Sequence, residues 1–426
     1  MKIEILHQHF LQSSGICTDT RKITKDCLFF ALRGDNFNGN KFAQEALEKG
    51  AFKVVIDQIG YHTNTGETIL CGNTLKWLQK LAAFHRQQLG LPILALTGSN
   101  GKTTTKELIN AVLTQQFKTA ATIGNLNNHI GVPLTLLSMD TSTEIGIVEM
   151  GANHLGEIHD LTEIVQPDFG YITNFGKAHL EGFGSIQGVI QGKSELYKHL
   201  KEKDKLVFVN ANDPTQMELT KSMRRFTFGL AKSDCYVGLK DASNTLLVNF
   251  KGLDIQSNLI GLYNYHNIAA AIAIGDYHKI PAENIKAAIE SYIPSNNRSQ
   301  RIEQNGHQII LDAYNANPSS MMAALQNFKQ TAGERKVLFL GDMFELGAEA
   351  AAEHQQIVDW LSLNALGSVY LIGSNFFETK VNVDHIHQFE SFDDLKEHLN
   401  SEKLQPCHML IKGSRGMALE RILELI

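Results

Sequence analysis

Apolar residues in this chain follow two rhythms that alternate from end to end. Short continuous runs at Cys27–Leu32, Lys53–Asp57, Ile93–Leu96, Ile145–Val148 and Phe169–Thr173 read as buried strands. Between them lie stretches with apolar residues three and four apart, which read as helices. Lys41–Lys49 is a short one, and Asn73–Leu89 carries Leu75, Leu78, Leu81, Ala82 and Leu89 near one face. Lys205–Asn210 and Phe226–Gly229 continue the strands, and 231–260 reads as β-hairpin material. Leu262–Ile274 opens an Ala- and Ile-rich helix suited to tight packing. After a polar, turn-rich break at Pro294–Arg301, strands return at Ile309–Leu311, Lys336–Leu340, Val369–Ile372 and Met409–Ile411. Such alternation predicts α/β architecture with mostly parallel sheets. Three domains are expected: a small α/β unit over 1–74, a parallel-sheet unit over 75–295, and a Rossmann-like unit over 296–426. The last unit has no G-x-G-x-x-G, so dinucleotide binding is not expected.

The centre of the pattern is the strand Ile93–Leu96, which breaks into Gly98-Ser99-Asn100-Gly101, then Lys102, Thr103 and Thr104, with helical spacing from Lys106 to Phe117. Strand, glycine turn, Lys-Thr and helix make a phosphate-binding loop. Glycines let backbone N–H groups converge on an anion, and the helix N-terminus adds partial positive charge. Lys102 can reach the outer phosphates, and the Thr103 hydroxyl can ligate magnesium. The loop is a short form, with Leu96 where the usual first glycine stands. By itself the loop predicts binding of ATP or GTP and no more.

Ligands in open α/β sheets bind at the carboxyl ends of strands. Glu149 and His179 both fall in such positions, Glu149 as a magnesium ligand candidate. Gly124–Pro133 holds Asn125, Asn127 and Asn128, and reads equally as a turn or as amides facing a polar ligand. Ser185–Leu200 reads as one helix with Ile186, Val189, Ile190, Leu196, Tyr197 and Leu200 on a stripe that continues through Lys193. A lysine there either snorkels to solvent or serves an active site. Thr18–Arg21 and Arg33–Gly39 each read as a solvated loop with a salt bridge.

Composition narrows the class. A chain of 426 residues with 43% hydrophobic and 20% charged residues has the profile of a soluble protein of two or three domains. A net charge of −6 argues against a nucleic-acid partner. No apolar run is long enough to span a bilayer, and MKIEILHQHF lacks a signal-peptide core. Cys17, Cys27, Cys71, Cys235 and Cys407 are scattered with no C-x-x-C pair, which suits reduced thiols in a cytoplasm and argues against zinc.

In sum of its motifs the chain resembles the Mur ligase family, ATP-dependent amide-forming enzymes of peptidoglycan synthesis. The resemblance spans nearly the whole chain through TGSNGKTTTKE, EMGANHLGEI, AHLEGFGS, YNYHNIAAAIA, NNRSQR, LDAYNANPSSM, GDMFELGAE and LIKGSRG, in family order. TDTR and FALRGDNFNGN are similar to the UDP-sugar-binding domain, and several motifs are similar to the branch that adds D-alanyl-D-alanine to UDP-MurNAc-tripeptide. The resemblance implies a monomeric cytoplasmic enzyme using ATP and two magnesium ions, with Lys102, Thr103, Glu149 and His179 at phosphates and metal. It implies that Lys193 is carbamylated and ligates metal, and that Asn267, Arg298 and Asp312 contact nucleotide. Asp19, Thr20 and Arg21 would meet the UDP-sugar. Asn127, Asn128, Asn315, Lys412, Ser414 and Arg415 would meet the peptide substrates. Ala270 stands where the family often has a second asparagine. The neighbouring ligase that adds a diamino acid to the dipeptide precursor typically carries D-N-P-R, which is absent here. A non-catalytic nucleotide-binding relative is the other alternative.

Overall fold

The computed structural model describes residues 2–331, 333, 335–401 and 404–426. Three larger sheets follow one another along the chain, beside a two-stranded and a three-stranded antiparallel sheet. The first has four parallel strands in the order Ile16–Cys17, Leu28–Phe30, Lys53–Ile56, Thr68–Leu70. The helix Ile3–Gln12, which the sequence reading missed, packs on Thr74–Leu89. Asn73 caps that second helix through its side chain, which accepts from Lys76 N.

The second sheet has seven parallel strands. Ile93–Thr97 lies between Phe169–Ile172 on one side and Ile145–Glu149 on the other. Its continuous apolar run has a physical reason. Ile93 and Ala95 enter one core while Leu94 and Leu96 enter the core on the opposite face. Helices Lys102–Leu113 and Tyr263–Tyr277 pack together on the second face, where a Cβ on Gly275 would stand 2.5 Å from Val112. The segment 231–260 supplies the edge strand Cys235–Tyr236 and a three-stranded antiparallel sheet. Lys251 and Gly252, both at positive φ, turn its last hairpin.

The third sheet has six strands in the order Gln300–Gln304, His307–Asp312, His408–Lys412, Lys336–Gly341, Ser368–Ile372, Ile386–Phe389. Only the first pairs antiparallel. It lies where the sequence pattern showed a polar break, because Arg301 and Glu303 face outward on this sheet edge.

Two helices also differ from expectation. The loop helix begins at Lys102 instead of Lys106, directly after Gly101 at φ +77. The segment 185–200 is two helices, Ile186–Lys193 and Glu195–Glu202, meeting at Ser194. Glu195, beside the apolar stripe, accepts from Gly156 N at 2.7 Å and His159 N at 2.9 Å. Its carboxylate thereby satisfies the N-terminus of the helix Glu157–Val165.

Candidate active site

The carboxyl ends of the second and third sheets face each other across a cleft of about 1300 Å³. The glycine loop forms its floor. Gly98 has φ +141, and a Cβ there would stand 2.0 Å from Thr173 Oγ1. Thr173 Oγ1 donates to Asn100 O at 2.6 Å, Ser99 N donates to Asn174 O at 3.0 Å, and Asn100 N to Asn174 Oδ1 at 3.1 Å. The loop is therefore shaped by the neighbouring strand end. Gly101 abuts Asn267, whose Oδ1 accepts from Thr105 Oγ1 at 3.0 Å and whose Nδ2 donates to Asn264 at 2.8 Å. Lys102 Nζ folds back to Gly98 O at 2.7 Å. Burial pushes its ammonium below the ordinary lysine range, with Glu149 pulling the other way.

Beside the loop, Glu149 is 1% exposed. Its Oε1 accepts from Asn127 Nδ2 at 2.8 Å and Thr103 Oγ1 at 3.3 Å. Its Oε2 has no hydrogen-bond partner among the described residues, with Lys106 Nζ 3.9 Å away. A buried carboxylate oxygen left over next to a loop threonine hydroxyl fits a magnesium ion shared with nucleotide phosphates. The described residues contain no group of three or more His, Cys, Asp and Glu side chains that could hold a metal alone. Phosphate oxygens and water would complete such a site.

Lys193 is wholly buried, which rules out snorkelling. Its Nζ donates to Ala152 O at 2.8 Å and lies 5.0 Å from the centre of the Phe183 ring. Burial, and then the Lys102 cation, push its ammonium well below the ordinary value. His179, at the N-terminus of the helix Leu180–Phe183, has φ 54. Its Nδ1 stands 2.5 Å from Glu345 Oε2, and that contact holds the Glu345 carboxyl below its usual range.

The third sheet supplies the opposite wall. Lys412 Nζ donates to Asp312 Oδ2 at 2.6 Å, and Asp312 Oδ1 accepts from Ser299 N at 3.0 Å. The Arg298 guanidinium stacks on the Tyr314 ring, 3.4 Å from its centre. The two units are docked. Asn317 Nδ2 donates to Asn100 Oδ1 at 2.7 Å, Lys177 N to Ser319 Oγ at 2.9 Å, and Lys177 Nζ to Glu353 at 2.6 Å.

Residues 96–275 match the family model of the Mur ligase middle domain, and 297–415 match that of the Mur ligase, glutamate ligase domain. The UDP-N-acetylmuramoyl-tripeptide–D-alanyl-D-alanine ligase of Bacillus subtilis (strain 168) is 35% identical, covering 96% of this chain and 92% of its own. The chain belongs to the Mur ligase family. The enzyme of the same name from Escherichia coli (strain K12) is 34% identical over 97% of this chain and 93% of its own. A crystal structure of MurF from Acinetobacter baumannii superposes with a TM-score of 0.87 at 29% identity, covering 99% and 98% of the two chains. A MurF ligase from Thermotoga maritima in complex with ADP does so with 0.86 at 25%, covering 98% and 97%.

Within this Mur ligase cleft the structure gathers Ser99 to Thr104, Glu149, His179, Asn267, Arg298 and Asp312, together with Asn127, Asn128, Asn315 and Lys412. Lys193 lies behind the wall, wholly buried. Asn128 Oδ1 accepts from Gly131 N at 2.9 Å and Ile130 N at 3.0 Å, so its side chain also holds the start of the next helix. Two predicted segments stand elsewhere. Asp19, Thr20 and Arg21 lie in the first unit outside the cleft, where Asp19 accepts from Arg21 at its backbone and guanidinium. That pairing brings the Asp19 carboxyl down to about 2. Ser414 is buried, accepting from Phe344 N at 2.9 Å, and Arg415 is exposed against Glu420 at 2.7 Å. Sequence reasoning missed Asn174, Asn264, Tyr314, Asn317 and Glu345. Asn264, Tyr314, Asn317 and Glu345 sit inside quoted motifs, so the signal was present without a role attached.

Proposed function

We propose that this protein is the ATP-dependent ligase that joins D-alanyl-D-alanine to UDP-N-acetylmuramoyl-tripeptide in the cytoplasm. The observation that carries this reading is likeness over nearly the full chain to several enzymes bearing that name. The cleft supports it. ATP would lie with its phosphates on Gly98 to Thr104 and its nucleoside toward Asn267, Arg298 and Asp312. The tripeptide carboxylate attacks the γ-phosphorus, ADP departs, and an acyl phosphate forms. The amine of D-Ala-D-Ala then attacks the acyl carbon, the amide forms, and phosphate leaves with the loss of a proton from nitrogen. Anionic groups must approach one another, and Lys102 with the loop amides supplies charge for that. Thr103 and Glu149 would hold one magnesium ion, with His179 and Lys193 at a second; bound there, magnesium neutralises phosphate oxygens. Lys193 is suited to carbamylation, because its buried amine is readily neutral and can add to carbon dioxide with loss of a proton. The docked third unit would exclude water from the acyl phosphate. Asp19, Thr20 and Arg21 in a 1–74 domain are candidates to hold the UDP end, leaving 75–295 for ATP and 296–426 for closure. Asn127, Asn128, Asn315 and Lys412 are positioned for the peptides.

The test is phosphate release from ATP with magnesium and UDP-MurNAc-tripeptide, with and without D-Ala-D-Ala. Dipeptide-dependent release with UDP-MurNAc-pentapeptide as product is expected. Turnover only with UDP-MurNAc-dipeptide and a free diamino acid would refute it.

A further inference from the structure

His179 and Glu345 come from different sheets. His179 follows the strand Phe169–Ile172, and Glu345 follows the strand Lys336–Gly341. Their side chains meet as an ion-pair contact, His179 Nδ1 2.5 Å from Glu345 Oε2 but outside hydrogen-bond geometry. Both backbones are left-handed, with φ 54 and 62, a conformation that residues other than glycine hold only where the surroundings impose it. The backbones are fastened as well: Glu181 N donates to Glu345 O at 3.1 Å, and Gly347 lies against Glu181.

A carboxylate this close to one imidazole nitrogen favours the proton on that nitrogen and limits the directions the ring can take. Here the carboxylate arrives from the third unit, so the ring is fixed only when that unit is docked. The Lys177–Glu353 pair, 2.6 Å long, joins the same two units without touching the imidazole. We infer that Glu345 is a positioning residue that sets His179 on docking and so ties the reaction to the closed arrangement. The inference rests on the ligase reading.

The test compares the full-length wild type with Glu345→Gln and Glu353→Gln. Each is assayed for ligation, for the KM of ATP, and for the nitrogen-15 resonances of the His179 ring, assigned by their loss in His179→Asn. In Glu345→Gln, kcat should fall at least about tenfold with the KM for ATP within about twofold, and the His179 resonances should move. Glu353→Gln should keep those resonances and most of its kcat. Unmoved His179 resonances in Glu345→Gln, or an equal loss of kcat in both variants, would overturn the inference. An inactive wild type would instead refute the ligase reading, and the resonances would still decide whether Glu345 sets the ring.

Discussion

Asn317 Nδ2 donates to Asn100 Oδ1 at 2.7 Å, and this side-chain bond joins the third unit to the phosphate loop of the second. Asn317 also caps its own helix, accepting from Ser320 N at 2.9 Å. Asn317→Asp separates the two roles, because aspartate caps as well as asparagine but presents only acceptors to Asn100. Thermal stability should change little while kcat/KM falls about tenfold, the order expected for one lost hydrogen bond at the closure interface. An unchanged kcat/KM would show that docking does not depend on this bond.

The loop geometry predicts a severe effect at two positions. Lys102→Ala removes the only side-chain cation of the glycine turn and should lower ATP-dependent turnover by about three orders of magnitude. Gly98→Ala forces a Cβ to 2.0 Å from Thr173 Oγ1 at φ +141. It should abolish nucleotide binding measured by calorimetry. A mild loss in either would count against phosphate binding at this turn.

Lys193 is buried without an acidic partner within salt-bridge reach among the described residues, so its replacement by Ala should leave the fold intact while abolishing ligation. Carbon-13 bicarbonate added to the wild type should give a carbamate resonance that Lys193→Ala lacks. Normal turnover by that variant would contradict carbamylation.

His278 packs against the rings of Phe117, Phe169 and Tyr277, and its Nε2 has no hydrogen-bond partner among the described residues. Burial lowers its pKa from 6.5 to about 4. The folded state therefore disfavours the proton relative to the unfolded chain. Its contribution to stability is complete above the unfolded pKa and is lost as pH falls toward the folded one, by up to about 3 kcal/mol. Urea midpoints should drop between these two values, and His278→Leu should flatten that part of the profile. An unchanged slope in the variant would assign the acid sensitivity to other groups.

What the chain reveals by itself divides along a physical line. The phosphate loop and the strand-end carboxylate were legible because strand, turn and helix are local and their periods are strong. The stripe through Lys193 left snorkelling and burial open, and burial decided it, while the turn at Ser194 was hidden by uninterrupted apolar spacing. Glu345 and Asn317 were not legible as site residues, since their partners His179 and Asn100 are distant in sequence and meet only across a docked interface. Arg415, a motif position three residues after a cleft-lining lysine, faces solvent and Glu420. The polar edge strand Gln300–Gln304 was hidden because Arg301 and Glu303 point outward.

The most direct test of the central claim uses UDP-MurNAc-tripeptide labelled with oxygen-18 in its terminal carboxylate, turned over with ATP and D-Ala-D-Ala. Activation of that carboxylate as an acyl phosphate predicts one labelled oxygen in every phosphate released. Unlabelled phosphate released alongside pentapeptide would contradict it.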